Sequence, residues 1–442
     1  MTRPAPTGPM RLYDTARREV VAFEPGPVVL MYTCGITPYD ATHLGHAATY
    51  VTYDVLQRRL RDLGHETRCV RNVTDVDDDL LRKARELGVH YLDLAAAETA
   101  RFDADMEALN VVECWSEPRA TSAIADIRGF IGMVLDQGHA YESGGSVYFD
   151  VSSFERFGQV SHYTREQMID LARQHGGNPD DPNKRDPLDF VLWQPSAPDE
   201  PSWESLWGPG RPGWHIECSA LALRELDTTI DLHGGGSDLI FPHHECEAAQ
   251  SEAATGQPFV RHWMHQAMVR MDGEKMSKSL GNLVFISELR KTWDVRAIRL
   301  AIVSHHYRDS WEWDDEIMPI AAARFERWLA ATIAPGAVDS QAALDEVRVR
   351  LDDDLDTPGA VAVIDRAVER GEGVASAAEL LGIFLVGEPQ RGGSYRFLSY
   401  GRARVRSPSC LTRSRSPFPM APSVLFPPAP PWLGSLPRSV HA

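Results

Sequence analysis

Apolar and polar positions follow two different repeating patterns along the first part of the chain. The apolar run Val28–Tyr32 is typical of a strand that is buried on both faces of a parallel sheet. After a loop, apolar residues recur at helical spacing, namely Ala48, Val51, Val55, Leu56 and Leu60. A second strand-like segment precedes Asn72, and helical periodicity runs from Leu80 to about Leu109. Strands that alternate with helices in this way predict a doubly wound α/β sheet.

The same patterns divide the chain into five segments. From Ala322 to Leu385 the pattern is helical, and Pro358 is expected to interrupt it after the acidic Asp352–Asp354. We predict the first half of an α/β domain at 1–111, an inserted segment at 112–193, the second half of that α/β domain at 194–310, a helical domain at 311–388, and a disordered or aberrant tail at 389–442.

Composition narrows the class of protein. The chain has 442 residues, 43% of them hydrophobic, and a net charge of −18. It has no run of the roughly 18 apolar residues that a membrane span needs, and its start lacks an apolar signal core, so we expect a cytoplasmic enzyme with no membrane partner. The six cysteines are scattered, which favours free thiols or metal ligands over a disulfide framework.

The last segment differs in composition from everything before it. Residues 389–442 contain ten prolines and eight arginines, and they lack lysine and acidic residues. Such a stretch has little periodicity and is typical of disorder. A functional basic arm and a frame-shifted translation product are both consistent with this composition.

A first candidate for chemistry lies where the first predicted strand meets the first predicted helix. The segment Cys34–His46 carries His43 and His46 on either side of Gly45. The start of a helix offers free N–H donors and a partial positive charge, which suit a nucleotide phosphate. Gly45 would let the nucleotide approach closely. For this short motif alone, a histidine pair that only caps the helix is the alternative.

A second candidate is the cationic loop Gly273–Asn282. Its two lysines, Lys275 and Lys278, lie three residues apart among serines and flanking glycines. Such a loop can neutralise charge that develops on a departing pyrophosphate, although a solvated surface loop would have the same composition.

Together and in this order, the two segments resemble the His-Ile-Gly-His and Lys-Met-Ser-Lys-Ser signatures of class I aminoacyl-tRNA synthetases. The resemblance implies the Rossmann-like parallel sheet of that class, with an inserted connective subdomain and a C-terminal helical domain. It also implies four catalytic residues, His43, His46, Lys275 and Lys278. Mg²⁺ is expected to accompany ATP.

Two further segments, Trp214–Cys218 and Phe241–Glu247, are similar, together with Cys34, to the metal site of cysteinyl-tRNA synthetases. The resemblance implies a Zn²⁺ ion held by Cys34, Cys218, His243 and Glu247. Two thiolates, an imidazole and a carboxylate suit zinc, and a helix would present residues 243 and 247 on one face. Without the flanking sequence, ordinary buried cysteines and a capping histidine would explain these residues. Relatives in the mycothiol pathway can lack a carboxylate at position 247.

Other segments extend the resemblance to an adenylate pocket. A glycine-rich loop before Asp238 suits close approach of ribose and adenine, and Val269 would offer its backbone to adenine. Trp214 would pack against the cysteine substrate, with an ordinary core position as its alternative. The residues implied to bind cysteine and its adenylate are Cys34, Gly35, Ile36, Thr37, Thr49, Asn72, Val73, Thr74, Trp214, Gly236, Ser237, Asp238 and Val269.

The acceptor of the activated cysteine has two alternatives. It is tRNA(Cys) for cysteinyl-tRNA synthetases and the amine of glucosaminyl-inositol for their paralogues in the mycothiol pathway. The motif around Pro38 and the segment Gln174–Pro179 resemble the paralogues, and helical sequence ends near Leu385 without a well-formed anticodon-binding domain. Arg185–Trp193 and Glu247 look as much like the tRNA enzymes. We favour the amino sugar.

A non-catalytic paralogue that binds nucleotide or zinc as a regulator is a third hypothesis. The histidine and lysine pairs are intact, which argues against it. We therefore expect a monomeric ATP-dependent ligase that forms cysteinyl-adenylate and joins it to 1D-myo-inositol 2-amino-2-deoxy-alpha-D-glucopyranoside, with cysteine–tRNA ligase as the alternative.

Overall fold

The structure of the chain is a computed structural model that describes residues 8–39, 42–271, 273–276 and 281–386. These residues all lie within one compact unit, Met1–Pro389. The predicted tail at 389–442 lies outside the described residues. No helix formed by the described part of the chain is both long and apolar enough to cross a membrane.

The described residues form short strands and longer helices in alternation. The strands are β1 (Arg11–Asp14), β2 (Glu19–Ala22), β3 (Val28–Ile36), β4 (Glu66–Val73), β5 (Ala140–Ser143), β6 (Ser146–Phe149), β7 (Phe190–Gln194), β8 (Arg211–Pro212), β9 (Leu232–Gly236), β10 (Trp263–Gln266), β11 (Val269–Met271), β12 (Glu274–Lys275) and β13 (Trp311–Glu312). The α-helices are α1 (Leu44–Leu63), α2 (Asp78–Leu87), α3 (Tyr91–Ala108), α4 (Ile124–Asp136), α5 (Arg165–Gln174), α6 (Trp214–Glu225), α7 (Glu245–Thr255), α8 (Ile286–Thr292), α9 (Val295–Val303), α10 (Ile317–Ile333), α11 (Gln341–Asp352), α12 (Thr357–Glu369) and α13 (Ala375–Leu380).

A four-stranded parallel sheet lies at the centre, with the strand order β10–β9–β3–β4. β3 pairs with β4 on one side, where Val28 lies opposite Glu66, and with β9 on the other, where Met31 lies opposite Leu232. The two predicted strands are therefore β3 and β4, and the predicted α/β class is confirmed. Because the strands run in the same direction, their carboxyl ends meet at one edge of the sheet.

Helix α1 connects β3 to β4 and begins and ends at clear capping residues. His43 accepts a hydrogen bond from the N–H of Gly45 at its start, and Gly64 ends it in the left-handed conformation with φ 103°. The five apolar positions predicted for this helix are all buried. The next predicted helical region is two helices, α2 and α3, because Gly88 ends the first of them at φ 66°.

The predicted insertion contains a second, antiparallel sheet with the order β5–β6–β7–β8. Phe149 and Phe190 stack across β6 and β7 with their ring centroids 4.8 Å apart. The fourth strand, β8, comes from residues beyond the expected boundary at 193. The domain boundaries as a whole stay a prediction.

The C-terminal described residues are helical, as predicted. α11 ends at Asp352, and α12 begins at Thr357 with Pro358 in its first turn. Proline is tolerated there because the first turn of a helix needs no backbone N–H donor. The expected interruption after Asp352–Asp354 is therefore confirmed.

A buried ion pair connects α1 to α9, and the same arginine donates a hydrogen bond to the residue that ends α13. Arg299 of α9 is 1% exposed and pairs with Asp54 of α1. Asp54 also accepts a hydrogen bond from Arg58 at 2.7 Å. The guanidinium of Arg299 donates in addition to the carbonyls of Leu381, at 2.6 Å, and Leu109, at 2.9 Å. These contacts satisfy a charge that would otherwise be costly to bury.

Candidate active site

The carboxyl ends of β3 and β4 approach each other closely. The N–H of Gly35 donates to Oδ1 of Asn72 at 2.8 Å, and Nδ2 of Asn72 donates to the hydroxyl of Thr74 at 3.0 Å. A Cβ atom at position 35 would overlap the carbonyl group of Asn72, so the site requires glycine there. The predicted adenylate residues at 34–37 and 72–74 therefore lie together at the carboxyl edge of the sheet.

The two histidines of the first motif stand at the start of α1. The rings of His43 and His46 stack with their centroids 3.7 Å apart. A Cβ atom at Gly45 would lie only 3.0 Å from the ring of His43, so this glycine also makes room for the histidine. Thr49, one turn later, donates from its hydroxyl to the carbonyl of Gly45 at 3.1 Å.

Four potential metal ligands converge beside this edge. Cys34 lies near the carboxyl end of β3, Cys218 lies on α6, His243 lies in the turn before α7, and Glu247 lies on α7. One donor atom from each lies within 4.8 Å of the others, and all four residues are buried. The structure thus brings together the residues that the resemblance named as ligands. His243 Nε2 and Glu247 Oε1, four residues apart, are separated by 3.0 Å.

The four groups hold one another in different ionisation states. Burial, Cys218 and Glu247 raise the pKa of Cys34. The hydrogen bond between Cys218 and Cys34, together with the nearby His243, lowers the pKa of Cys218 to about 6. Burial opposes charge on His243, but Glu247 and Cys218 raise its pKa to about 10. Burial also opposes charge on Glu247, yet His233 and His243 lower its pKa to about 2. These contacts favour the thiolate of Cys218, the protonated imidazole of His243 and the carboxylate of Glu247.

Neighbouring side chains orient two of these four residues. Nδ1 of His215 lies 2.9 Å from Nδ1 of His243, and the indole of Trp214 stacks on the same imidazole at 4.3 Å. Nε2 of His233 lies 3.0 Å from Oε2 of Glu247, which leaves Oε1 directed at the cluster. Such outer contacts fix the orientation of ligands in metal sites.

A chain of histidines that was not predicted lies behind the cluster. His244 Nε2 lies 3.2 Å from Cys34 Sγ, and its Nδ1 lies 2.7 Å from Nε2 of His265, which in turn contacts the hydroxyl of Thr15 at 2.7 Å. Burial and neighbouring histidines lower the pKa of His265 to about 3 and that of His244 well below its ordinary value. A second group of four donor atoms within 4.8 Å results, from Cys34, His233, His244 and Glu247. Histidines inside the strands β9 and β10 are the sequence signal that indicates these positions.

The residues predicted for ribose and adenine lie at the ends of other strands. Gly236 ends β9, and Ser237 and Asp238 form the 3₁₀ turn that follows it. Val269 begins β11, and its carbonyl accepts a hydrogen bond from the N–H of Met276 at 3.4 Å. Lys275 belongs to β12, but its side chain and the whole of Lys278 lie outside the described residues.

Comparison with known families places the chain in a class. The family described as "tRNA synthetases class I (C) catalytic domain" matches residues 21–323. This match includes the parallel sheet, the histidine pair and the four clustered potential ligands. The chain therefore belongs to the class I (C) tRNA synthetase family.

Within this family the chain is similar to ligases of one name. It is 49% identical to the "L-cysteine:1D-myo-inositol 2-amino-2-deoxy-alpha-D-glucopyranoside ligase" of Streptosporangium roseum, over 83% of the chain and 90% of that protein. It is 51% identical to the ligase of the same name from Thermobispora bispora, over 81% of the chain and 89% of that protein.

Solved structures with similar folds are more distant in sequence. Mycobacterium tuberculosis methionyl-tRNA synthetase in complex with methionyl-adenylate aligns with a TM-score of 0.57 and 18% identity, covering 80% of this chain and 82% of that one. A putative arginyl-tRNA synthetase from Campylobacter jejuni aligns with a TM-score of 0.51 and 12% identity, covering 81% and 93%. These likenesses confirm the class I synthetase type of fold.

Proposed function

We propose that the chain is an ATP-dependent ligase that activates L-cysteine as cysteinyl-adenylate and joins it to the amine of glucosaminyl-inositol. The observation that carries the proposal is the buried set of two thiols, an imidazole and a carboxylate beside the histidine pair of α1. A site for a soft ligand next to a site for phosphate suits adenylation of a thiol-bearing amino acid. Relatives that are about 50% identical to this chain in sequence are named as ligases of the amino sugar. Their names support the amino sugar over tRNA(Cys) as the acceptor.

The donor set supports zinc as the metal. Its donor atoms lie within 4.8 Å of one another, and two thiols, an imidazole and a carboxylate are ligand types that zinc accepts. Cys34, Cys218, His243 and Glu247 would hold it, because His215 and His233 already orient the last two. When bound, zinc would supply a soft Lewis acid that separates a cysteine thiol from a serine hydroxyl.

The reaction has two steps that balance without a further reactant. The cysteine carboxylate attacks the α-phosphorus of ATP, and the bond to the leaving pyrophosphate breaks. The amine of the acceptor then attacks the activated carbonyl carbon, its proton is released, and AMP leaves as the amide bond forms. Mg²⁺ accompanies ATP in the first step, as is usual for nucleotide phosphates.

The side chains of this chain would act mainly by position and charge. His43 and His46 would donate hydrogen bonds to the phosphate at the start of α1, where the helix favours an anion. Lys275 and Lys278 would neutralise the departing pyrophosphate. Trp214, which stacks on His243, would form a wall of the cysteine pocket and exclude water from it.

One assay compares the two acceptors directly. The purified protein is incubated with ATP, labelled cysteine, and either glucosaminyl-inositol or tRNA(Cys), and the labelled product and AMP are measured. We expect a labelled amide with the amino sugar and no charged tRNA. Glucosyl-inositol, which has a hydroxyl in place of the amine, is the matched control and should give no product. Efficient charging of tRNA(Cys) at the rate of adenylate formation would contradict the proposal.

A further inference from the structure

Glu217 is a buried carboxyl group that neither the ligand cluster nor the histidine chain uses. It lies in the first turn of α6 and is 1% exposed. Neither of its carboxyl oxygens has a hydrogen-bond partner among the described residues. Buried polar groups nearly always have such partners, because removing a carboxyl from water is costly. An unpartnered carboxyl inside a binding region therefore points to a ligand.

The position of Glu217 on α6 turns it toward the active site. Trp214, Glu217 and Cys218 occupy positions i, i+3 and i+4, which share one face of a helix. The indole of Trp214 stacks on His243, so this face is directed at the ligand cluster. α6 also packs against β4, whose carboxyl end carries the predicted adenylate residues. The carboxyl group of Glu217 lies within electrostatic range of Cys218 in the thiol site and of Asp75 and Asp77, which follow β4 in the chain.

The charges around Glu217 are mostly negative, and its neighbours are already bonded elsewhere. Burial, Cys218, Asp77 and Asp75 raise the pKa of its carboxyl group, and a bound cation would oppose that shift. Asp75 accepts hydrogen bonds from the N–H and the hydroxyl of Thr121 at 2.8 and 2.6 Å. Arg211 is the nearby cation, but its guanidinium bonds to Glu200 at 3.1 Å and to Asp78. What this group of carboxyls lacks is a cation that would contact Glu217.

We propose that Glu217 binds the ammonium group of a substrate. The inference rests on the proposed function, which supplies two primary amines, the α-amine of cysteine and the amine of the acceptor. Both must come close to the carbonyl carbon that forms the amide, and so both reach the same region beside the thiol site. A buried carboxylate recognises an ammonium group through short, charge-assisted hydrogen bonds.

The test is Glu217→Gln, with two comparisons of an amine substrate against its amine-free analogue. The first comparison is the affinity for cysteine against that for 3-mercaptopropionate, measured by competition in ATP–pyrophosphate exchange. The second is the affinity for glucosaminyl-inositol against that for glucosyl-inositol, the latter measured as a competitor of transfer from preformed adenylate to glucosaminyl-inositol. In one of the two comparisons, we expect the affinity ratio of amine substrate to amine-free analogue to fall about 10- to 100-fold in the variant. The comparison in which it falls shows whether the ammonium group belongs to cysteine or to the acceptor.

The control is Glu225→Gln, at the other end of the same helix, which should leave both preferences unchanged. Glutamine keeps the shape of Glu217 and no described hydrogen bond is broken, so the melting temperature and metal content should not fall. Unchanged preferences, or a variant that unfolds or loses its metal, would overturn the inference. A wild-type protein that makes no amide with glucosaminyl-inositol would refute the proposed function instead, and the cysteine comparison would then decide the role of Glu217.

Discussion

Cys34 derives its chemical state from residues that lie far from it in the chain. Gly35 lets its strand approach Asn72 closely, and the thiol of the preceding residue lies near Cys218 of α6 and Glu247 of α7. Cys218, His244 and Glu247 then surround the sulfur. A metal ion would replace the protons that these groups otherwise share, because zinc binds the thiolate rather than the thiol.

The metal assignment can be tested at one residue. We expect about one zinc per chain in the purified protein, and we expect Cys218→Ser to lose both the metal and cysteine-dependent ATP–pyrophosphate exchange. Serine is a poor soft ligand, so its hydroxyl does not replace the thiolate. Elemental analysis and the exchange assay measure the two properties.

The matched control is Cys246→Ser, since Cys246 is also buried but belongs to neither group of donor atoms. That variant should keep its zinc and its activity. Fully active enzyme without zinc would refute the assignment.

At the scale of single elements, helix α2 begins after Asp77, a capping residue whose ionised form is disfavoured by burial. Asp77 accepts a hydrogen bond from the N–H of Asp79 at 2.8 Å and so caps the helix. Burial, with Asp78 and Asp79 adding to it, raises the pKa of Asp77 to about 6, above the usual value near 3.9 in unfolded chains. The stability that this group contributes is therefore present below about pH 4 and is lost as the pH rises through 6.

Replacing this carboxylate should make the protein more stable at neutral pH. Asn caps a helix as well as Asp does and carries no charge, so Asp77→Asn should raise the free energy of unfolding by about 1 kcal/mol at pH 7.5 and by nearly nothing at pH 4. Urea unfolding at the two pH values measures the difference. Asp79→Asn, at an exposed carboxylate in the same turn, is the control, and a gain independent of pH would contradict the linkage.

The elements differ in how far the sequence predicts them. β3 and α1 follow from apolar runs and periodicity, and the resemblance named the four residues that the structure brings together. The break at Gly88 is not visible in the sequence pattern, because one glycine is tolerated within helical periodicity. The strand β8 has only two residues, which is too short to form a pattern. The histidine chain depends on which strands neighbour β9, and a local pattern does not contain that information.

At the scale of the whole molecule, the pair of Arg299 and Asp54 ties the catalytic sheet to the C-terminal helices. Among the described residues, Arg299→Met would leave the buried Asp54 with Arg58 as its remaining cationic partner. It would also remove the donors to three backbone carbonyls. Removing one partner of a buried ion pair costs about 3–5 kcal/mol, so we expect a loss of that size in the free energy of unfolding.

Urea unfolding of Arg299→Met measures this loss. The control is Arg366→Met, which breaks the exposed pair with Glu346 and should cost less than about 1 kcal/mol. Equal losses in the two variants would show that the buried pair does not hold the helices to the sheet.

The distribution of the cluster along the chain also bears on how the protein is made. Cys34 and Glu247 are 213 residues apart, and β3 pairs with β9 as well as with β4. At a translation rate of about 5–20 residues per second, the ribosome needs about 10 to 40 s to extend the nascent chain from one residue to the other. The thiol of Cys34 therefore emerges long before its partners, and the complete binding site arises late in synthesis. Binding of a metal ion by these four residues would therefore follow the pairing of β3 with β9, after more than half of the chain has been synthesised.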